Sequence, residues 1–281
     1  WDICMKTILG KVVVNMIEYA PPVGVDVACM NKLDSPYAPP IGIDLLCKNV
    51  VETTYDQLSE DNVRIFKDRL LDMTGCILGG AIVPEDQFLA GIEEAPLFAR
   101  RGRLPMPSAV MLNSITARAN DFGNMFFHVH GDRIASHCGE TLIPMGLTLA
   151  DVYQTNGAEF IANNVAAEDL TARILYTLPM RWPTDMLMVS SAAAALASRY
   201  YKLDADKTKV ALTYAACKAT DPANSYYDYS QEFKYHNGAS AQMGIMACEL
   251  AKGGWDGWAD PYFGHWGLVT RQVKDGKPLP E

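Results

Sequence analysis

From residue 58 onward the apolar residues recur at intervals of three and four, and that spacing excludes a sheet as the body of the fold. Val63, Phe66, Leu70, Met73 and Ile77 form one such stripe, the mark of an amphipathic helix with one face turned to a core. Ser59 suits its N-cap and Gly79-Gly80 its stop. Residues 110–119, 142–153, 158–178, 187–201, 207–218 and 239–250 are each helix-length and rich in Ala, Leu or Met. Within the fourth of these, Ala192 to Ala195 are small enough for helices to approach closely. Strand-like alternation is scarce after residue 55, so the expected fold class is all-α, a bundle of about eight helices.

The first 51 residues read differently, as a non-helical N-terminal arm. Tyr19-Ala-Pro-Pro-Val-Gly-Val-Asp-Val-Ala-Cys29 is repeated as Tyr37-Ala-Pro-Pro-Ile-Gly-Ile-Asp-Leu-Leu-Cys47. Each proline fixes φ and turns the residue before it away from helix, which makes the Gly-Ile-Asp and Gly-Val-Asp stretches candidate short strands or tight turns. Cys29 and Cys47 beside Asp26 and Asp44 form a candidate thiol or metal pair. The other reading is an arm packed on the body or on a neighbouring subunit, with its cysteines as small apolar residues.

Charge narrows the function. A formal net charge of -9 argues against a broad electrostatic footprint for nucleic acid or an anionic membrane. No apolar run is long enough for a membrane span, and residues 8–17, interrupted by Lys11 and Asn15, make a poor signal peptide. Seven cysteines without a Cys-x-x-Cys pair read as reduced thiols, and the expected location is cytoplasmic.

Polar residues concentrate between Asn113 and Thr141. This stretch holds Arg118, Asp121, Asn124, His128, His130, Asp132, Arg133, His137 and Glu140. Imidazoles beside a carboxylate and a guanidinium suit acid/base chemistry, because the ring exchanges protons near neutral pH. A metal site is the alternative, with His128 and His130 on the same side of an extended segment and His137 or Asp132 completing the set. The Asp121-Phe-Gly triplet lacks the other kinase motifs and carries no weight. A second polar group, Gln231 to Gly238, precedes the helix expected from Ala239. Lys234 and His236 beside free amides at that helix start would suit a carboxylate or phosphate.

Taken in order, these segments resemble the MmgE/PrpD family of 2-methylcitrate dehydratases, cis-aconitate decarboxylases and iminodisuccinate epimerases, over residues 52–270. Leu70-Leu-Asp-Met-Thr-Gly-Cys-Ile-Leu-Gly-Gly80 is similar to the family's opening helix signature. Residues 113–124 lie without gaps on its Asn-Gly-x-x-x-His-x-x-Asp-[Phe/Tyr]-Asp-[Asp/Asn] stretch. His137-Cys-Gly-Glu-Thr-Leu-Ile-Pro144 resembles its His-Pro-Ser segment, and Pro183-Thr184 with the alanine-rich helix its later Pro-Thr helix. His236-Asn-Gly238 and residues 247–257 resemble the segment after its catalytic lysine.

The resemblance implies a multi-helix domain with Asp121 and His137 as catalytic residues, His236 beside them, and Arg118, Lys234, Asn124 and Trp182 as substrate-binding residues. Several positions depart from the family: Arg118 and Trp182 stand where it has histidines, Met125 where it has threonine and Phe233 where it has lysine. The implied chemistry is a lyase reaction of the dehydratase type on a small di- or tricarboxylate. One group removes a proton beside a carboxylate and another protonates the leaving group, so no organic cofactor is needed. Epimerisation or decarboxylation can follow the same proton abstraction. The departures also fit a non-catalytic scaffold subunit. The family further implies a homodimer through this domain and a second domain beginning near residues 271–281, for which the expectation is either a companion subunit or a chain that works without it.

Overall fold

The computed structural model describes residues 40–80, 95–98, 102–123, 126–129, 132–178, 188–219, 231–264, 267–271, 273–274 and 277–278. Eight long helices are found among them: α1 (Pro40–Glu52), α2 (Glu60–Gly80), α3 (Met106–Arg118), α4 (Gly139–Tyr153), α5 (Gly157–Thr177), α6 (Val189–Tyr200), α7 (Ala205–Ala216) and α8 (Glu232–Lys252). A short α9 (Leu268–Arg271) follows, and strands occur only as three two-stranded antiparallel ribbons among the described residues. The fold is all-α, as the spacing predicts.

Polar caps mark several helix starts. Ser59 Oγ accepts from the amide of Asn62 at 3.1 Å, Asn156 from Glu159 at 3.0 Å and Asp204 from Lys207 at 2.8 Å, each satisfying an amide that the first turn leaves open. The centre is α6, whose residues Val189 to Ser198 are buried all round. A helix apolar on every side has to be enclosed, and α5, α7, α8 and α4 pack about it. The alanine run brings α8 close: a Cβ on Gly244 would lie 2.6 Å from Ala193.

Two expectations are corrected. The second repeat copy, read as a strand or tight turn, is helical from Pro40. Proline at a helix start loses no internal hydrogen bond, and Ile43, Leu46, Cys47 and Val50 then share a fully buried face. Arg199 closes the end of α1, donating through Nη1 to the carbonyls of Val50 (2.6 Å) and Val51 (3.1 Å) and through Nη2 to that of Thr53 (2.5 Å). The second correction concerns α8, which begins at Glu232 rather than Ala239. Gly238, the last residue of the polar group expected to precede the helix, lies inside it, and α3 passes against it: a Cβ there would fall 2.7 Å from the Met111 carbonyl. Lys234 and His236 therefore lie within a helix and not in a loop before one. The first repeat copy, with Cys29, lies outside the described residues.

Cys47, Cys76, Cys138, Cys217 and Cys248 are unpaired by disulfides. Burial pushes the Cys138 and Cys248 thiols up to about 12, which makes them packing groups rather than nucleophiles.

After α8, Asp260 fixes the approach to α9 by accepting from the amides of Tyr262 (3.0 Å) and Phe263 (2.8 Å). Burial pushes its carboxyl from 3.8 up to about 6, with Asp44 adding repulsion and the backbone amides opposing the rise. A carboxyl raised in the folded state stabilises in its protonated form, so the contribution is complete below about pH 4 and lost as pH rises through about 6. Asp260→Asn keeps the acceptor oxygen without the charge. Relative to wild type it is expected to gain on the order of 2 kcal/mol between about pH 4 and pH 7. Urea denaturation at both pH values measures this, and an unchanged difference between the two proteins contradicts it.

Candidate functional site

Three segments converge beside the N-terminal end of α8. The end of α3 supplies Arg118, the turn after it Asp121 and Gly123, and the entry to α4 His137 and Glu140. Between the last two segments runs a hairpin, Phe126–Val129 paired with Asp132–Ala135. Its seat is set from below by Arg69, which bonds Glu168 at 2.5 Å, donates to the Phe126 carbonyl at 3.4 Å and lies 5.4 Å from the Phe127 ring centre.

The cluster is built on one guanidinium. Arg118 is fully buried, and its Nη1 lies 2.6 Å from Asp121 Oδ1, 2.5 Å from Glu140 Oε2 and 2.6 Å from His137 Nδ1. His137 Nδ1 also lies 3.1 Å from Glu140 Oε2, so the ring stands between a guanidinium it can accept from and a carboxylate it can donate to, according to its tautomer. Glu140 Oε1 accepts from the amide of Gly123 at 3.1 Å. Asn237 of α8 donates to the His137 carbonyl and to Thr141 Oγ1, both at 3.1 Å, and the Phe233 ring lies 5.4 Å from the Arg118 guanidinium.

Asp121 is the exception in this buried set, since its side chain is 49% exposed. Its φ of +55° is in the left-handed region, which aspartate tolerates better than most residues but still at some cost. The strain and the Arg118 contact together hold one carboxylate at the surface of an otherwise closed cluster.

Donor atoms of Asp121, His137 and Glu140 lie within 4.8 Å of one another, a composition that suits a divalent metal. Arg118 Nη1, at 2.5–2.6 Å from an atom of each, fills the position of the cation. The alternative His128, His130 and His137 set is described only in part: His128 lies in the first hairpin strand, while His130 falls outside the described residues, as do Asn124 and Trp182.

Arg118, Asp121 and His137 are thus brought together. Lys234 stands one residue from Phe233, with its ammonium 5.9 Å from that ring. His236 instead lines a cavity on another face of α8. The residue that sequence reasoning passed over is Glu140, which is fully buried at the centre of the set. The signal was available in two matched spacings, Arg118-x-x-Asp121 at a helix end and His137-x-x-Glu140 at a helix start, each of which puts its side chains on one face.

An all-helical domain with a buried guanidinium–imidazole–carboxylate cluster and one half-exposed acid is the class that the fold and site define. Over residues 44–280 the chain matches the MmgE/PrpD N-terminal domain, and it belongs to that family, whose members are typically lyases of the dehydratase type. A comparison with curated protein sequences finds no match. Among the described residues no helix is long and apolar enough to cross a membrane.

Proposed function

We propose that this chain carries out acid/base lyase chemistry on a small di- or tricarboxylate, with Asp121 as the base. The observation that carries the reading is the half-exposed Asp121 carboxylate, strained at φ +55° and held by Arg118 beside His137. An ionised carboxylate accepts a proton and donates none, so it suits removal of a proton beside a substrate carboxylate. His137, an imidazole able to give up a proton, suits donation to the departing group. Arg118 has no exposure to offer a substrate, and its role is to fix Asp121 and His137 relative to each other. Lys234, near the Phe233 ring that neighbours Arg118, is the cation for a substrate carboxylate. Return of the proton on the opposite face gives an epimerase, and loss of carbon dioxide a decarboxylase, on the same groups. A homodimer through the helical domain, working with a companion subunit, is the assembly that accompanies this reading.

The test is steady-state kinetics over a panel of di- and tricarboxylates. Asp121→Asn is expected to lower kcat by roughly 10²-fold or more with KM little changed, and His137→Gln to lower kcat by a similar order. Lys234→Met is expected to raise KM instead. Wild-type turnover in Asp121→Asn overturns the mechanism. The second reading, a scaffold subunit, is favoured by the burial of His137, which is 3% exposed. In that case none of these substitutions alters turnover.

A further inference from the structure

A cavity of about 530 Å³ opens on the flank of α8 away from the Arg118 cluster, bounded also by Ser190 of α6 and Lys218 after α7. Its volume falls in the range of small-molecule sites, roughly 300–1,000 Å³. We propose that it binds a monocarboxylate with an apolar tail of several carbons. The site is independent of the acid/base reading, since neither Asp121 nor His137 lines it.

Three observations support the assignment. Ser240 is 7% exposed, lines the cavity and makes no hydrogen bond with the described residues. A hydroxyl inside a helix ordinarily bonds the carbonyl four residues back, as Thr148, Thr171 and Ser198 do here. Ser240 leaves its hydroxyl available to a ligand instead. Lys218, also on the wall, has no acidic partner among the described residues. Met243 and Met246 of α8 also line the cavity, the latter 45% exposed, and methionine adapts to apolar tails of varied shape. The ligand charge follows from the wall. Lys218 is the single ammonium among the described lining residues, so the wall attracts one carboxylate and offers no second ammonium or guanidinium to another.

The experiment follows the methionine methyl resonances of the full chain by NMR during titration with hexanoate, glutarate and 1-hexanol, with the Met243 and Met246 signals assigned from Leu variants. Hexanoate is expected to shift both signals with a Kd in the millimolar range. Glutarate and 1-hexanol are expected to bind at least about fivefold more weakly. Lys218→Met is expected to weaken hexanoate about tenfold and Ser240→Ala about threefold. Ser240→Ala suits a helix, Lys218→Met falls in the turn after α7, and an unchanged circular dichroism spectrum in each verifies the fold. Absence of a shift overturns the proposal, as does equal binding of 1-hexanol, or unchanged affinity in Lys218→Met. Asp121→Asn separates this site from the acid/base cluster: it is expected to leave the hexanoate titration unchanged. Loss of binding in that variant would assign the cavity to the cluster and end the claim of an independent site.

Discussion

Arg118→Met is expected to destabilise the chain by about 3–5 kcal/mol, because it strands a carboxylate in the interior. Glu140 has no exposure, and Arg118 is the positive group that neutralises it. The gain from pairing two buried charges is modest against an apolar replacement, but removing one partner leaves the full desolvation cost of the other. The double variant Arg118→Met/Glu140→Gln is therefore expected to recover much of the loss, a coupling that a double-mutant cycle measures. Asp121→Asn, at a half-exposed position, is expected to change stability by less than about 1 kcal/mol. Urea denaturation of wild type, Arg118→Met, Glu140→Gln, the double variant and Asp121→Asn decides the matter. A loss below about 1 kcal/mol in Arg118→Met would show that Glu140 is solvated or otherwise compensated.

Arg69→Met is expected to have an effect of similar size, about 3–5 kcal/mol, for a related reason at a different place. Burial already pushes the Glu168 carboxyl upward, with Arg69 providing the opposing pull. Removing that pull raises the carboxyl further, so the variant's deficit is expected to shrink as pH falls and the acid protonates. Arg69→Met also removes the donor to the Phe126 carbonyl and the cation near Phe127. Faster amide exchange across the hairpin residues 126–129 and 132–135 is thus expected before global unfolding. Glu168→Gln/Arg69→Met separates the charge effect from the hairpin effect: the charge deficit disappears and the exchange change persists. A deficit independent of pH contradicts the buried-carboxylate account.

Much of the fold could be read in the sequence because helix period is a local signal. The stripe from Val63 to Ile77 predicts α2, and the alanine run predicts the enclosed α6. The errors arise where a residue serves packing but suggests a turn. Gly238 accommodates the backbone of α3, and Pro40 opens a helix that its own repeat motif argues against. Only tertiary contact distinguishes such a glycine from one in a loop before the helix. The site was legible to the same depth. Arg118, Asp121 and His137 were picked out by residue type and by family resemblance, whereas Glu140 gains its importance from the hairpin that folds His137 back onto Arg118. That return across residues 126–135 is a long-range event with no periodic signature.

The contact between Gly123 and Glu140 bears on how this site can change over generations. A Cβ on Gly123 would fall on the Glu140 side chain, at a position where the motif that this stretch resembles carries an aspartate. Enlarging residue 123 first meets a steric block, and shortening Glu140 first strips the buried Arg118 of its counter-charge. Each single step is harmful, although the two together can exchange one carboxylate for another at the same spot. The pair is therefore expected to show sign epistasis: each single substitution costs stability, the double recovers it, and a survey that varies one residue at a time is expected to score both as immutable.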